Sequence, residues 1–225
     1  ISVPEVPARD AEACPSRSAR HRWNGGMLKC FPKFRGSSKK QIVMFGPEDS
    51  GKTTLLYRLK LDWKDIKFAM KNLKKEDDAG YHYEELSTAP LGDYGIWDIP
   101  GSDEMVPLWP MFYRYITVSA VLFVVDGREK MRPEKLTEVG RAVGRLLNED
   151  ELRTVAFVVV INYDADEPPM ENIKVIEDSL KVKVLKERYP RFTSISMNCA
   201  DVSETSTQWK QVLAFIAHQV SLSSK

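Results

Sequence analysis

The stretch QIVMFGPEDSGKTTLLYRL, residues 41 to 59, sets the architecture, because an apolar run passes through a G-x-x-x-x-G-K-T pattern into a segment with helical spacing. Gly46 and Gly51 let the backbone bend so that successive amides face phosphates, while Lys52 reaches the outer phosphates and Thr53 binds magnesium. The helix that opens at Thr53 adds the positive end of its dipole. The predicted phosphate-binding residues are Gly46, Asp49, Ser50, Gly51, Lys52, Thr53 and Thr54.

Short hydrophobic runs alternate with segments of helical spacing after this first strand and helix. The hydrophobic runs are nearly continuous, as is typical of strands that are buried on both faces. This alternation predicts an α/β fold with a mainly parallel sheet, helices on both faces and a ligand at the carboxyl ends of the strands. The strands are predicted at 41–45, 94–99, 120–126, 155–162 and 192–197, and the helices at 53–75, 108–116, 133–147, 170–189 and 206–220.

Composition narrows the classes of function. The 33 basic residues balance 32 acidic ones, so no overall field attracts nucleic acid, and we expect no nucleic-acid partner. Cys14, Cys30 and Cys199 are odd in number and far apart, which argues against a disulfide framework or a zinc site and favours a reducing compartment. The longest apolar run, 118–125, is far shorter than the roughly 18 residues that a spanning helix requires.

The chain divides into an amino-terminal extension, 1–38, and one domain, 39–225. The extension is rich in Pro, Ser, Arg and Gly and has no sustained period, so we expect it to be flexible or packed on a partner. Its arginines at 17–22 suggest a transit segment, whereas its acidic residues at 5–12 are unusual for one. We therefore expect a cytoplasmic protein, or an organelle subunit if the extension is a processed transit segment.

A second motif, WDIPGSDEMVPLW at 97–109, delivers a carboxylate to the same edge of the sheet. Asp98 follows an apolar run and precedes a Pro-Gly turn, so it can hold magnesium through water. The amide of Gly101 can meet a terminal phosphate. With Lys52 and Thr53 these residues predict a magnesium nucleotide site, whose metal ligands are Thr53 and Asp98.

The order of several segments resembles the small GTPases of the ADP-ribosylation factor group, over roughly residues 39–220. The resemblance implies a P-loop small-GTPase fold with a six-stranded sheet, a site for GTP or GDP with Mg²⁺, and effector or assembly-partner proteins. The matching segments are GKTTLLYRLKL, WDIPGSDEMVPLW, VLFVVD, LLNEDELR and the late NCA.

Two departures from this family lie where the chemistry would occur. Ser102 stands where the family has a glutamine that orients the attacking water, so intrinsic hydrolysis should be slow or absent. Because AGYHYEEL at 79–86 resembles the strand that follows the first switch, Asp78 stands where a threonine would sense the terminal phosphate. A carboxylate there would repel phosphates. We predict no catalytic residue, and whether the chain is an enzyme stays open.

The base site also differs from the family pattern N-K-x-D. Asn162 matches, but Tyr163 replaces the lysine that covers the ring and Ala165 replaces the aspartate, so guanine selectivity is doubtful. Asp164 substitutes only if the loop shifts, and Tyr163 can stack on the base. Cys199 begins a C-A pair whose amides contact the base oxygen in the family, although a small buried cysteine at a strand end fits equally well. The candidate base-site residues are Asn162, Asp164, Cys199 and Ala200.

Two further segments are candidates for partner binding. Residues 27–40 match the family's amphipathic lead-in, and aromatics alternating with lysines suit peripheral membrane contact, although Pro32 breaks a helix and packing on the domain is the alternative. Residues 62–78 lengthen the chain before the first switch by about eight residues relative to the family. They are read either as an extended first helix with a charged end or as a partner-binding insertion.

Two functional hypotheses follow. The first is a divergent member of this group that binds a guanine nucleotide with Mg²⁺, hydrolyses it weakly or not at all, and acts as a switch or adaptor in membrane traffic or transport. The second is a pseudo-GTPase that serves as a structural or binding subunit of a larger assembly. The phosphate loop favours the first hypothesis, and the changes at Asp78, Ser102 and Ala165 favour the second.

Overall fold

The computed structural model describes residues 39–61, 81–128, 131–164 and 168–223. Within these residues one sheet contains β1 (Lys40–Phe45), β2 (His82–Thr88), β3 (Gly92–Asp98), β4 (Val118–Asp126), β5 (Ala156–Asn162) and β6 (Phe192–Met197). Their order across the sheet is β2-β3-β1-β4-β5-β6. Every neighbouring pair is parallel except β2 and β3, which are antiparallel. The predicted mainly parallel sheet of six strands is confirmed.

Helices lie between most of the strands in the described part of the chain, whereas a turn at 89–91 joins β2 to β3. Two short 3₁₀ helices lie at Val106–Leu108, directly before Trp109, and at Asp150–Leu152, before β5. The α-helices are α1 (Lys52–Lys60), α2 (Trp109–Tyr115), α3 (Pro133–Leu147), α4 (Met170–Ser179), α5 (Val182–Arg188) and α6 (Thr207–Ser223).

The central strand β1 shows that helices pack on both faces of the sheet. Side chains alternate between the two faces along a strand. Phe45 contacts α2, with its ring centroid 4.8 Å from that of Trp109. Its neighbour Met44 is part of the core cluster that contains Leu55 of α1 and Trp209 of α6. The continuous apolar strands are therefore buried on both sides, as the sequence predicts.

Strand register brings three polar residues, Asp98, Asp126 and Asn162, to the carboxyl-end edge of the sheet. Met44 of β1 lies opposite Asp98 of β3, and Asp126 of β4 lies opposite Asn162 of β5. Asn162 in turn lies opposite Met197 of β6. Because these strands are parallel, the loops that follow them meet at this edge, and the phosphate loop follows β1 there.

The predicted single helix at 170–189 is wrong, because the segment forms two helices. Lys181 adopts a left-handed conformation with φ of 53° and separates α4 from α5. Leu180 and Val182, on either side, are both buried. Two residues apart on one helix they would point in widely different directions, so the break lets both enter the core.

The predicted helix at 53–75 ends early. The last turn of α1 closes with a 2.8 Å hydrogen bond from the Leu61 N–H to the Tyr57 carbonyl, and Leu61 itself is extended. Among the described helices, none combines the length and apolar character that crossing a membrane requires. The remaining expectations on 1–38, 62–78, Asp78 and Ala165 concern positions outside the described residues.

Candidate functional site

Two glycines shape the phosphate loop by close approach to neighbouring segments. A Cβ on Gly46, at φ of 141°, would lie 2.1 Å from the carbonyl oxygen of Val124 in β4. A Cβ on Gly51, at φ of 100°, would lie 2.4 Å from Nδ2 of Asn162. L-residues rarely adopt such φ values, and there is no room for a side chain. The loop is therefore pressed against the ends of β4 and β5.

Lys52, the first residue of α1, is folded back over the loop. Its Nζ donates hydrogen bonds to the carbonyls of Gly46 at 2.9 Å and Pro47 at 2.7 Å, and the side chain is buried. Burial lowers the pKa of Lys52, although the nearby carboxylates of Asp98 and Asp49 act against this shift. Burial therefore outweighs the attraction of these carboxylates, and a bound phosphate would supply the missing negative charge.

Thr53 and Asp98 meet at the position predicted for the metal. The Thr53 hydroxyl donates to Oδ2 of Asp98 at 2.5 Å, and Asp98 is only 4% exposed. Its other oxygen, Oδ1, is buried and has no hydrogen-bond partner in the described part of the chain. A buried carboxylate oxygen without a donor is costly unless a cation or water satisfies it, so the pair fits a magnesium ion.

The surrounding residues suit a metal that is shared with a ligand. Over residues 39–61, 81–128, 131–164 and 168–223, no group of three or more His, Cys, Asp or Glu side chains is placed to hold a metal by itself. Mg²⁺ is commonly held by one or two protein groups together with substrate phosphates. Thr53 and Asp98, with the buried Lys52 of the same loop, are compatible with that kind of arrangement.

His82 also reaches this carboxylate, which the sequence analysis did not predict. It lies opposite Asp98 in the antiparallel β2–β3 pair, and its Nδ1 is 3.5 Å from Oδ2 of Asp98. The interaction with Asp98 raises the pKa of His82, while partial burial acts in the opposite direction. His82 and Asp98 are 16 positions apart in the chain, and only the register between β2 and β3 reveals their contact.

The turn after Asp98 rests directly on the phosphate loop. A Cβ on Gly101 would lie 1.9 Å from the carbonyl oxygen of Gly46, so only glycine fits. Pro100, directly before Gly101, is held by Trp109, whose Nε1 donates a hydrogen bond to the Pro100 carbonyl at 3.0 Å. The Ser102 carbonyl accepts from two amides that begin the next 3₁₀ helix, the nearer at 2.9 Å. Gly101 thus lies against the phosphate loop, and Ser102 follows it in the turn.

Asn162 joins three loops at the edge of the sheet. Its Nδ2 donates to the Ser50 carbonyl at 3.0 Å, and its Oδ1 accepts from the Cys199 amide at 3.0 Å. Its own carbonyl accepts from the Gly127 amide at 2.7 Å. Asn162 is buried, so these bonds are shielded from water. The residue connects the phosphate loop to the loops after β4 and β6.

The amides of the predicted C-A pair have partners inside the protein. Besides the bond from Cys199 to Asn162, the Ala200 amide donates to Oδ1 of Asn198 at 2.9 Å. Cys199 is fully buried, and burial raises the pKa of its thiol to about 12. Its amide therefore positions Asn162, and a base oxygen would have to compete with Asn198 for the amide of Ala200.

Tyr163, directly after Asn162, is largely buried. It is 9% exposed, and its amide donates to the Met197 carbonyl at 3.1 Å. It lines a cleft of about 280 Å³ with residues at the end of β6 and the start of α6. The other lining residues are Met197, Asn198, Asp201, Val202, Ser206 and Gln208, and none of them is a predicted site residue.

Arg128, which the sequence analysis also missed, is a cation that contacts the phosphate loop from the end of β4. Its Nη2 donates to the Asp49 carbonyl in the phosphate loop at 2.6 Å. Its Nε and Nη2 donate to the two carboxylate oxygens of Asp126, each at 2.9 Å. The fold thus places an arginine beside the phosphate loop, 35 residues before the motif position that Tyr163 occupies.

Most of the predicted site residues come together in this way. Asp49 contributes its carbonyl, Thr54 is the third residue of α1, and Asp164 is exposed after β5. A larger cleft of about 610 Å³, near Arg114 and Arg145, contains none of the predicted residues. The residues joined by the contacts above are Gly46, Ser50, Gly51, Lys52, Thr53, Asp98, Gly101, Asn162 and Cys199.

A comparison with known families agrees with this geometry. The model of the ADP-ribosylation factor family, Arf, matches residues 27–214. The match covers most of the 225 residues and includes every predicted site residue.

Proposed function

This chain belongs to the ADP-ribosylation factor family of small GTPases, and from that premise we propose that it binds a guanine nucleotide with Mg²⁺ and hydrolyses it weakly or not at all. The observation that carries the proposal is the buried, unpartnered Oδ1 of Asp98 beside Thr53. Oδ1 of Asp98 is left without a cation, and the buried ammonium of Lys52 is left without an anion. A magnesium nucleotide would supply both.

Each residue of the site has a distinct part in binding. Lys52 neutralises the outer phosphates, and the loop amides around Gly51 face them. Thr53 and Asp98 hold the metal, which when bound neutralises phosphate charge. Gly101, in contact with the loop, offers its amide to the terminal phosphate. These residues account for binding without any group that activates water.

Weak hydrolysis follows from Ser102. The position after Gly101 is the one from which the family's glutamine orients water, and a serine hydroxyl is too short for that reach. No rate acceleration beyond that of the phosphate loop and the metal is then expected from the chain itself. A partner protein that supplies the missing group would be required for rapid turnover.

The binding proposal is tested by identifying the nucleotide that the protein retains. The purified protein is denatured, and released nucleotides are separated by ion-exchange chromatography. We expect GTP or GDP at close to one per chain, and much less from a Lys52→Ala variant whose circular dichroism matches the wild type. Release of no nucleotide, or of an adenine nucleotide, would contradict the proposal.

The hydrolysis proposal is tested by restoring the family residue. Ser102→Gln should raise single-turnover GTP cleavage by at least about tenfold if the rest of the site is competent. Ser102→Ala is the matched control and should leave the slow rate unchanged. Fast cleavage by the unmodified chain would refute the proposal, and an unchanged Ser102→Gln rate would place the block in the first switch.

By the same reasoning we propose a role as a switch or adaptor in membrane traffic or transport, working through effector proteins and peripheral membrane contact by residues 27–40.

The second candidate function is a pseudo-GTPase in a larger assembly. It is favoured by the contacts of His82 with Asp98 and of Ala200 with Asn198, which satisfy site groups within the chain. Retained nucleotide that exchanges with added nucleotide supports the switch, and absence of nucleotide supports the pseudo-GTPase.

A further inference from the structure

The guanidinium of Arg128 is held in a fixed plane at the edge of the sheet. Three hydrogen bonds join Arg128 to the carboxylate of Asp126, two from the side chain at 2.9 Å and one from the amide at 3.0 Å. A fourth, from Nη2, reaches the Asp49 carbonyl at 2.6 Å. N–H bonds lie in the plane of a guanidinium, so these contacts do not themselves occupy either of its faces, on which aromatic rings can stack.

Gly127 fixes where Arg128 lies. The Gly127 amide donates to the Asn162 carbonyl at 2.7 Å, which carries the chain across the end of β5. A Cβ on Gly127 would lie 2.8 Å from Cγ2 of Ile161 and 3.0 Å from the Asn162 carbonyl oxygen, so only glycine allows this approach. The side chain of the next residue is thereby directed toward the phosphate loop and Asp49.

The contact with Asp49 joins a strained part of the loop. Asp49 has φ of 56°, in the left-handed region that costs about 1 kcal/mol or more for most residues. Its carbonyl is bonded by Arg128, and the side chains of Asp49, Asp126 and exposed Asp164 all raise the pKa of the Arg128 guanidinium, Asp126 most strongly. Arg128 therefore carries a permanent positive charge and links the phosphate loop to the end of β4 by hydrogen bonds.

We propose, on the basis of the nucleotide binding proposed above, that Arg128 is a base-side residue of the site, where it positions the phosphate loop and covers one face of the bound purine. Tyr163, which occupies the motif position for a covering side chain, is 9% exposed and lines a cleft with residues at the end of β6, whereas Arg128 bonds the phosphate loop itself. A guanidinium face stacks favourably on aromatic rings, and purines offer such a ring.

Chemical footprinting tests contact with the ligand directly. Phenylglyoxal modifies exposed arginines, and the Arg128 side chain is 34% exposed. The rate at Arg128 is followed by peptide mass spectrometry with and without saturating Mg²⁺ and GDP, with exposed Arg141 of α3 as an internal control. We expect at least about fivefold protection of Arg128 and none of Arg141. Equal rates at Arg128 with and without GDP, under conditions where GDP is retained, would overturn the proposal.

Variants test the energetic role. Arg128→Met, similar in length but uncharged, should raise the dissociation constant for GDP at least tenfold. Arg128→Lys keeps the charge but loses the planar fork, so its dissociation constant should lie between that of Arg128→Met and that of the wild type, at least about threefold above the wild type. Arg141→Ala and Tyr163→Leu should change it less than twofold. A Tyr163→Leu loss as large as that of Arg128→Met, or a wild-type affinity in Arg128→Met, would overturn the proposal.

The two proposals fail in distinguishable ways. If the wild-type chain releases no nucleotide and binds no added GDP, nucleotide binding itself is refuted, and the role of Arg128 falls with it. If the wild type binds GDP and Arg128 is neither protected nor required, only the role of Arg128 is refuted. Urea unfolding of each nucleotide-free variant shows whether that variant is folded. If Arg128→Met is unfolded, the affinity of Arg128→Lys for GDP decides whether Arg128 is required.

Discussion

Replacing Asn162 by alanine should destabilise the ligand-free protein, because this side chain is the bridge between the phosphate loop and β6. The change deletes the donor to the Ser50 carbonyl and the acceptor for the Cys199 amide, both at 3.0 Å. Ser50 and Cys199 are fully buried, so water does not readily replace the lost partner. The bond from Gly127 goes to the backbone carbonyl of Asn162 and is retained.

The size of the effect follows from these two bonds. Leaving one buried backbone group without a partner costs about 1–3 kcal/mol, so two such groups give a loss of about 3 kcal/mol if the neighbouring structure relaxes in part. For a domain of this size, a loss of that magnitude lowers the unfolding midpoint temperature by about 6–12 °C. Asn172→Ala is the matched control, because its 3.4 Å bond to the Gly127 carbonyl is longer and less buried. It should cost less than about 1 kcal/mol.

Urea unfolding, followed by tryptophan fluorescence in the presence of EDTA, measures the free energy of unfolding without a contribution from bound ligand. The midpoint should fall for Asn162→Ala while the slope with urea stays the same. A loss below about 1 kcal/mol would refute the reasoning, since it would mean that the freed amide and carbonyl find other partners.

Three further predictions concern other parts of the same edge. Gly46→Ala should cost at least about 2 kcal/mol of unfolding free energy, because its Cβ would lie 2.1 Å from the Val124 carbonyl oxygen; equal urea midpoints would contradict this. The pKa of the Cys199 thiol is raised to about 12, so iodoacetamide at pH 8, read by peptide mass spectrometry, should label Cys199 only after unfolding. The pKa of His82 is raised by Asp98 in the folded state, so its stabilising contribution is present below the unfolded value near 6.5 and is lost as pH rises through the folded value. In EDTA, the difference in unfolding free energy between wild type and His82→Gln should therefore shrink above neutral pH, and a constant difference would show that the pair contributes nothing.

Local pattern predicted the elements that matter most for the site. The strand, loop and helix around Gly46 to Thr53 follow from apolar periodicity and glycine spacing, which act over a few residues. The four strands predicted at 41–45, 120–126, 155–162 and 192–197 agree with the structure to within one or two residues. Continuous apolar runs are informative here because a parallel strand buried on both faces requires them.

The helix prediction at 170–189 was wrong because packing in the core overrides the hydrophobic periodicity of the sequence. The segment 170–189 has helical spacing along its whole length, yet Lys181 breaks it so that Leu180 and Val182 both reach the core. Tyr163 is aromatic and stands at a motif position, which suggested stacking, and this interpretation stays a prediction; its low exposure and its place in a cleft at the end of β6 depend on residues that no local window contains.

The sequence by itself determined the family and the sheet, and motifs with short and fixed spacing singled out Lys52, Thr53 and Asp98 as candidate phosphate and metal residues. Only the tertiary structure decided which further cation lies beside the loop and which side chain shares the Asp98 carboxylate. Arg128 meets Asp49 across 79 positions and His82 meets Asp98 across a strand pair. Such contacts depend on strand order and register, which the burial of the whole core selects and which periodicity along the chain does not encode.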